Sequence, residues 1–109
     1  MDELLLVYTT WDSTEQAKNA GKHLLKKRFC GCINIYPDMV PLYWWPPKEN
    51  KLEGGSEVTM IVKTLKSKYK ELEKEIYKIH PSKVPCVISI TASNVNKDYY
   101  DWIKGEIEH

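Results

Sequence analysis

Leu4-Leu5-Leu6-Val7-Tyr8-Thr9 is the stretch on which the fold turns. A short apolar run rich in strand formers, it reads as a first β-strand. Neighbouring strand residues point to opposite faces, so the run puts large apolar groups on both sides of its sheet. A solvated face would alternate polar residues with core residues instead. The same two-sidedness recurs in Met60-Ile61-Val62 and in Cys86-Val87-Ile88. Both faces of this sheet therefore need cover.

Working outward, Trp11-Asp12 turns the chain and Ser13-Thr14-Glu15-Gln16 has capping-box spacing. Ala17, Ala20, Leu24 and Leu25 then recur at helical spacing, predicting a helix to about Arg28, with Lys18, Lys22, Lys26 and Lys27 largely elsewhere. Cys30 to Tyr36 alternates as a strand, with Ile33 and Ile35 on one face and Cys32, Asn34 and Tyr36 on the other. Cys30 and Cys32, two apart, are expected to share a face. Pro37 and Pro41 leave either two strand pieces or one bent ribbon near an edge, continued by Val40 to Trp45. Pro46-Pro47 ends it, and Lys48 to Ser56 reads as a hairpin loop.

Glu57 to Thr64 is the next strand, with Val58, Met60 and Val62 on one face and Ile61 on the other. Tyr69, Leu72, Ile76 and Ile79 mark a second amphipathic helix that stops at His80, before Pro81. Pro85 to Thr91 reads as a strand. Asn94 or Asn96 caps a last helix whose buried stripe is predicted to be Tyr99, Trp102, Ile103 and Ile107. The order β-α-β-β-α-β is α+β: a ferredoxin-like sandwich, an antiparallel sheet with two helices on one face and an extra C-terminal helix. Residues 1–109 read as one domain.

Composition narrows the function classes. Sixteen basic and 15 acidic side chains give a net charge of +1, too little field to steer a polyanion, so nucleic acid is not expected as a partner. The acidic start and the short apolar run fit neither a signal peptide nor a membrane-spanning helix. Three cysteines cannot all pair within one chain. A cytoplasmic protein with free thiols is the expectation. Four Trp and seven Tyr stand against one Phe, and side chains with an apolar body and a polar tip suit interfaces.

The adjacent Trp44 and Trp45 sharpen the question of cover, because one helix layer cannot bury both indoles. Tyr36 and Tyr43 add to the load. Apolar patches of this kind mark a contact surface. Self-association is one answer. A last helix folded over the bare face, or an indole lying on its edge, are the others.

Cys32-Ile33-Asn34-Ile35, Tyr43-Trp44-Trp45, Lys63-Thr64, His80-Pro81, Val84-Pro85, and then Tyr99 and Trp102 together resemble the CutA family of divalent-cation-tolerance proteins. The resemblance spans nearly the whole chain in the right order. It implies a domain similar to the signalling protein PII, assembled as a homotrimer in which strands of neighbouring subunits pair. It also implies a role in tolerance of copper or another divalent cation. The chain departs from the family pattern at Ser82 and Lys83, where tyrosine and glutamate are common, and at Cys86.

Thiolate and imidazole are good ligands for copper and zinc. The metal-ligand candidates are Cys32, which matches the family cysteine, and His80. Buried strand cysteines also serve as small hydrophobes, the expectation for Cys30 and Cys86. A histidine at a helix end also complements the helix dipole. Lys63, Tyr43 and Trp102 are the candidates for a ligand cleft between subunits, Lys63 as an anion-binding group or a plain strand-surface cation. Tyr36, Trp44 and Trp45 are assigned to the trimer interface. His23, among helix lysines, is expected in solvent.

Catalytic signatures are scarce. No serine has a nucleophile-elbow context, no glycine-rich phosphate loop appears, and pairs such as Glu71 with Lys74 and Glu75 with Lys78 read as a solvated helix face. No arginine or glycine follows the first strand to cradle an anion, and the strand at Val58 to Ile61 has no stacking aromatic for RNA. A binding protein is expected, not an enzyme, with no organic cofactor. An interaction trimer that takes a small anion in its subunit clefts, by analogy with PII, is the alternative.

Overall fold

The computed structural model describes residues 1–109. In chain order it contains β1 (Leu4–Trp11), α1 (Thr14–Lys26), β2 (Cys32–Met39), β3 (Leu42–Trp44), β4 (Leu52–Gly54), β5 (Glu57–Leu65), α2 (Tyr69–Ile79), β6 (Val87–Thr91) and α3 (Lys97–Ile107). A four-stranded sheet has the order β2-β5-β1-β6, with every neighbouring pair antiparallel. This is the ferredoxin-like α+β arrangement read from the sequence. β3 and β4 pair with each other in a separate hairpin.

Alternation sorts the two faces. Trp11 lies opposite Val58, Val7 opposite Val62 and Ile33 opposite Val62, all on the helix side. They pack with Ala17, Ala20 and Leu24 of α1 and Leu72 and Ile76 of α2. Ser13 caps α1, its Oγ accepting the Gln16 N–H at 3.1 Å, while the Gln16 side chain accepts the Asp12 N–H at 2.8 Å. The capping box thus forms with its return bond shifted one residue back.

The other face is divided. At one end α3 covers it: Tyr100, Ile103 and Ile107 pack on Leu4 and Leu65. Gly31 lets the helix approach, since a Cβ there would overlap Ile103 Cγ1. Arg28 Nη1 also donates to the Glu106 carbonyl at 2.8 Å. Beyond α3's reach, Leu6, Tyr8, Ile61, Ile88 and Ile90 share the open face with Tyr36. Ile88 and Ile90 are 54% and 55% exposed. Folding of the last helix over the bare face, one of the alternatives, therefore happens only in part.

Three local expectations are corrected. Cys30 and Cys32 do not share a face, because the strand and its alternation begin only at Cys32. Cys30 drops into the helix-side core, whereas Cys32 packs against the cluster under α3. In α3 the buried stripe is Tyr100, Ile103 and Ile107, not one that includes Tyr99 and Trp102. The two isoleucines set the helix phase, and Tyr100 lies one turn before Ile103 on the same side, so Trp102 is left 49% exposed. The segment 48–56 is not all loop: Leu52 pairs with Trp44 and Gly54 with Leu42, and the reversal is confined to the residues between Trp44 and Leu52. A three-residue strand with one large apolar side chain carries no alternation to read.

Glu75 is a fourth correction. It is buried rather than solvated, and His23 Nε2 lies 2.5 Å from its carboxylate, with Lys27 and Lys78 each at 3.9 Å. His23 is thus a clasp between α1 and α2. Glu71 pairs with Lys68. The hydrogen bond from His23, helped by Lys27 and Lys78, outweighs desolvation and holds the Glu75 carboxyl below the usual carboxylate range. The folded chain then keeps this group ionised at lower pH than the unfolded chain does. Its stabilisation is complete above the ordinary carboxylate range and is lost as pH falls through the depressed value. Urea midpoints measured from about pH 6 to about pH 3 should fall less steeply in Glu75→Gln than in the native chain. Equal slopes would show that the clasp contributes nothing.

The radius of gyration, 14.8 Å, exceeds the ~13 Å expected of a compact chain of this length. The β3–β4 hairpin accounts for the excess as an arm held away from the sheet. Trp44 (64% exposed), Leu42 and Leu52 are solvent-facing on it.

Candidate functional site

Where the arm joins the body, a cleft of about 550 Å³ opens between β1, the arm and the segment after α2. Trp11, Tyr8 and Thr10 form its base, Tyr43 and Trp45 its arm side, and His80, Ser82, Pro85 and Cys86 its far wall. Tyr43 and Trp45 are two apart, so they turn toward one side of the arm while Trp44 turns to the other. The structure thus separates the two indoles that the sequence grouped together.

His80 is tightly placed. Its Nε2 lies 2.7 Å from the Thr10 carbonyl, and its Nδ1 lies 3.0 Å from the Ser82 backbone nitrogen. A carbonyl can only accept and an N–H can only donate, so this arrangement selects the neutral ring with the proton on Nε2. The ring also lies against Trp11, with centroids 4.4 Å apart. Ser82 Oγ accepts the Val84 N–H at 3.2 Å, closing the turn whose Ser82 backbone N–H is the partner of His80 Nδ1.

A second group lies at the other end of the sheet. Lys63 Nζ donates to Tyr99 OH at 3.2 Å and lies 5.2 Å from that ring's centroid. Tyr99 packs on Trp102 at 5.7 Å, and Cys32 is the cross-strand partner of Lys63. Burial alone would lower the Lys63 pKa, but the Tyr99 hydrogen bond and the nearby Cys32, Tyr99 and Tyr36 raise it above the usual lysine value. Lys63 and Trp102 therefore belong together, with Cys32, while Tyr43 belongs to the His80 cleft.

The metal-ligand candidates do not meet within one chain. Cys32 lies opposite Lys63, whereas His80 bonds to Thr10, whose own partner is Thr59, four residues further along β5. That separation is about 13 Å along the strand. No group of three or more His, Cys, Asp or Glu side chains is arranged to hold a metal ion. The three cysteines are free thiols. Burial, with a smaller effect of Cys32, pushes Cys30 up to about 12, and burial followed by Glu57 raises Cys86. Cys30 is thus inert core, as expected of it.

The family model for the CutA1 divalent ion tolerance protein matches residues 5–106. The chain belongs to the CutA1 family. The divalent-cation tolerance protein CutA of Pyrococcus horikoshii is 38% identical over 103 residues, 94% of this chain and 97% of that protein. The crystal structure of a CutA described as periplasmic, from Archaeoglobus fulgidus, superposes with a TM-score of 0.89 at 34% identity, covering 95% of this chain and 98% of that one. CutA1 from Ehrlichia chaffeensis gives a TM-score of 0.91 at 27% identity, covering 98% and 97%. The CutA1 match runs from β1 into α3 and so includes both the cleft and the Lys63 group.

Sequence reasoning missed the walls of the cleft. Asp12, Met39 and Glu57 line it, yet none stands in a motif. Glu57 had one legible signal: it opens a strand whose next five residues are uncharged, directly after a turn.

Proposed function

We propose that this chain acts in divalent-cation tolerance as a homotrimer that binds copper or a similar divalent ion and catalyses no reaction. Membership of the CutA1 family supports the tolerance role. The observation that carries the trimer is the apolar open face of Leu6, Ile61, Ile88 and Ile90, which α3 leaves uncovered beside the exposed arm. Patches of this extent on a small chain are contact surfaces. Tyr36 lies on that face and Trp44 on the arm's outer side, both suited to a subunit boundary. Free thiols fit a reducing compartment such as the cytosol, and no helix is long and apolar enough to cross a membrane.

Cys32 and His80 stand apart in one chain, so a single ion shared by them needs two chains. His80 offers Nδ1 only if the Ser82 N–H lets go. Copper uptake is then a property of the assembly, of modest affinity. Calorimetry on reduced, metal-free protein without oxygen should show uptake that Cys32→Ala and His80→Ala each weaken by at least about tenfold. No uptake, or uptake indifferent to both changes, would remove the site.

A second reading rests on Lys63, whose ammonium is held against Tyr99 on the open face. It suits a small anion in a subunit cleft. A thermal-shift screen of nucleotides and carboxylate metabolites that moves nothing would count against it.

A further inference from the structure

We propose that the cleft between the arm and His80 binds a small organic cation of the substituted-ammonium class, a ligand distinct from the metal ion proposed above although His80 borders both. Its volume, about 550 Å³, is that of a pocket for a small molecule. A bare metal ion needs several donors converging at about 2.0–2.6 Å, and no three carboxylate, thiol or imidazole groups do so. The space suits an occupant with bulk of its own.

Charge selects its sign. Asp12 and Glu57 line the cleft, and no lysine or arginine does. Neither carboxylate is engaged in an ion pair with any cation of the chain. His80 has both ring nitrogens engaged, by the Thr10 carbonyl and the Ser82 N–H. An anion would meet two negative groups with nothing to offset them.

The remaining lining selects the chemical type. Tyr8, Tyr43 and Trp45 present aromatic rings to the cleft, and ring faces attract an ammonium group while their apolar bodies pack against its alkyl substituents. Met39, Pro41, Val84 and Pro85 complete an apolar lining that a hydrated inorganic ion would gain nothing from. Carboxylates without a cation and aromatic rings around a roomy apolar pocket together describe a receptor for an alkylated ammonium head.

Choline chloride is a suitable probe, and 3,3-dimethylbutan-1-ol is its uncharged isostere. The full chain, reduced and kept in chelator so that no metal takes part, is titrated with each at constant ionic strength. Binding is followed by tryptophan fluorescence and by calorimetry. Choline should bind saturably and the alcohol at least about tenfold more weakly. Glu57→Gln, an isosteric change at a half-buried position, and Trp45→Leu, at a side chain 42% exposed, should each weaken choline by about tenfold. Circular dichroism and thermal melts matching the native chain would establish that both variants fold. Failure of choline to bind, equal binding of the alcohol, or affinity unchanged in the folded Glu57→Gln protein would overturn the proposal. None of these results bears on copper uptake, which is measured separately.

Discussion

Replacing Trp44 and Leu52 together with serine is expected to turn the proposed trimer into monomers, seen as a threefold fall in mass by light scattering. The two side chains face each other across the arm's ladder, and both are solvent-facing in the single chain. Burying a large apolar side chain contributes about 1.5–3 kcal/mol, so six such groups supply on the order of 10 kcal/mol per trimer. Far-UV circular dichroism should change little, because the arm shares no strand with the four-stranded sheet. A particle of undiminished mass would refute the interface. Trp45→Ser is expected to act differently: that indole lines the cleft, so its loss should alter ligand binding more than assembly.

Trp11→Ala should be the most destabilising single substitution within the body. The indole is 1% exposed, its Nε1 donates to Thr9 Oγ1 at 2.7 Å, and Thr9 Oγ1 donates on to the Met60 carbonyl at 2.7 Å. Removing such a side chain costs about 3–5 kcal/mol, against a total of roughly 5–15 kcal/mol for a domain. Trp11→Phe keeps most of the volume and loses chiefly the hydrogen bond, about 1 kcal/mol. Urea unfolding of the three proteins at one concentration separates the two contributions. An alanine variant within about 1 kcal/mol of the native chain would mean that Trp11 is not the keystone of this packing. Because the ring also supports His80 at 4.4 Å, the alanine variant should loosen the cleft before it unfolds the sheet.

The sheet was legible because its signals are local and redundant. Leu4 to Val7, Met60 to Val62 and the Ser13 cap each specify one element, and the order of elements leaves little choice of topology. Placement of the last helix was only half legible. Asn96 and Ile103 indicate that a helix exists, but whether Tyr99 or Tyr100 is buried depends on the fit of Ile103 against Gly31, a contact between residues far apart in the chain. The same holds for Glu75, which looked like one more helix carboxylate until His23 of the neighbouring helix met it. Of the candidate site residues, pairs that share a strand register, such as Cys32 with Lys63, were within reach of pattern reading. Asp12, Met39 and Glu57 were not, because they converge only where the base of the arm meets the end of β1 in the folded chain.

That arm has a thermodynamic meaning of its own. Its strands are three residues each, and a lone two-stranded hairpin is at best marginally stable in water. In the proposed trimer its order is therefore coupled to association, so folding of the arm and mass action become one equilibrium. Apparent stability should rise with protein concentration, and melting temperature should climb steadily along a dilution series read in reverse. Dilution alone would then loosen the arm, and with it the wall of the cleft that Tyr43 and Trp45 provide.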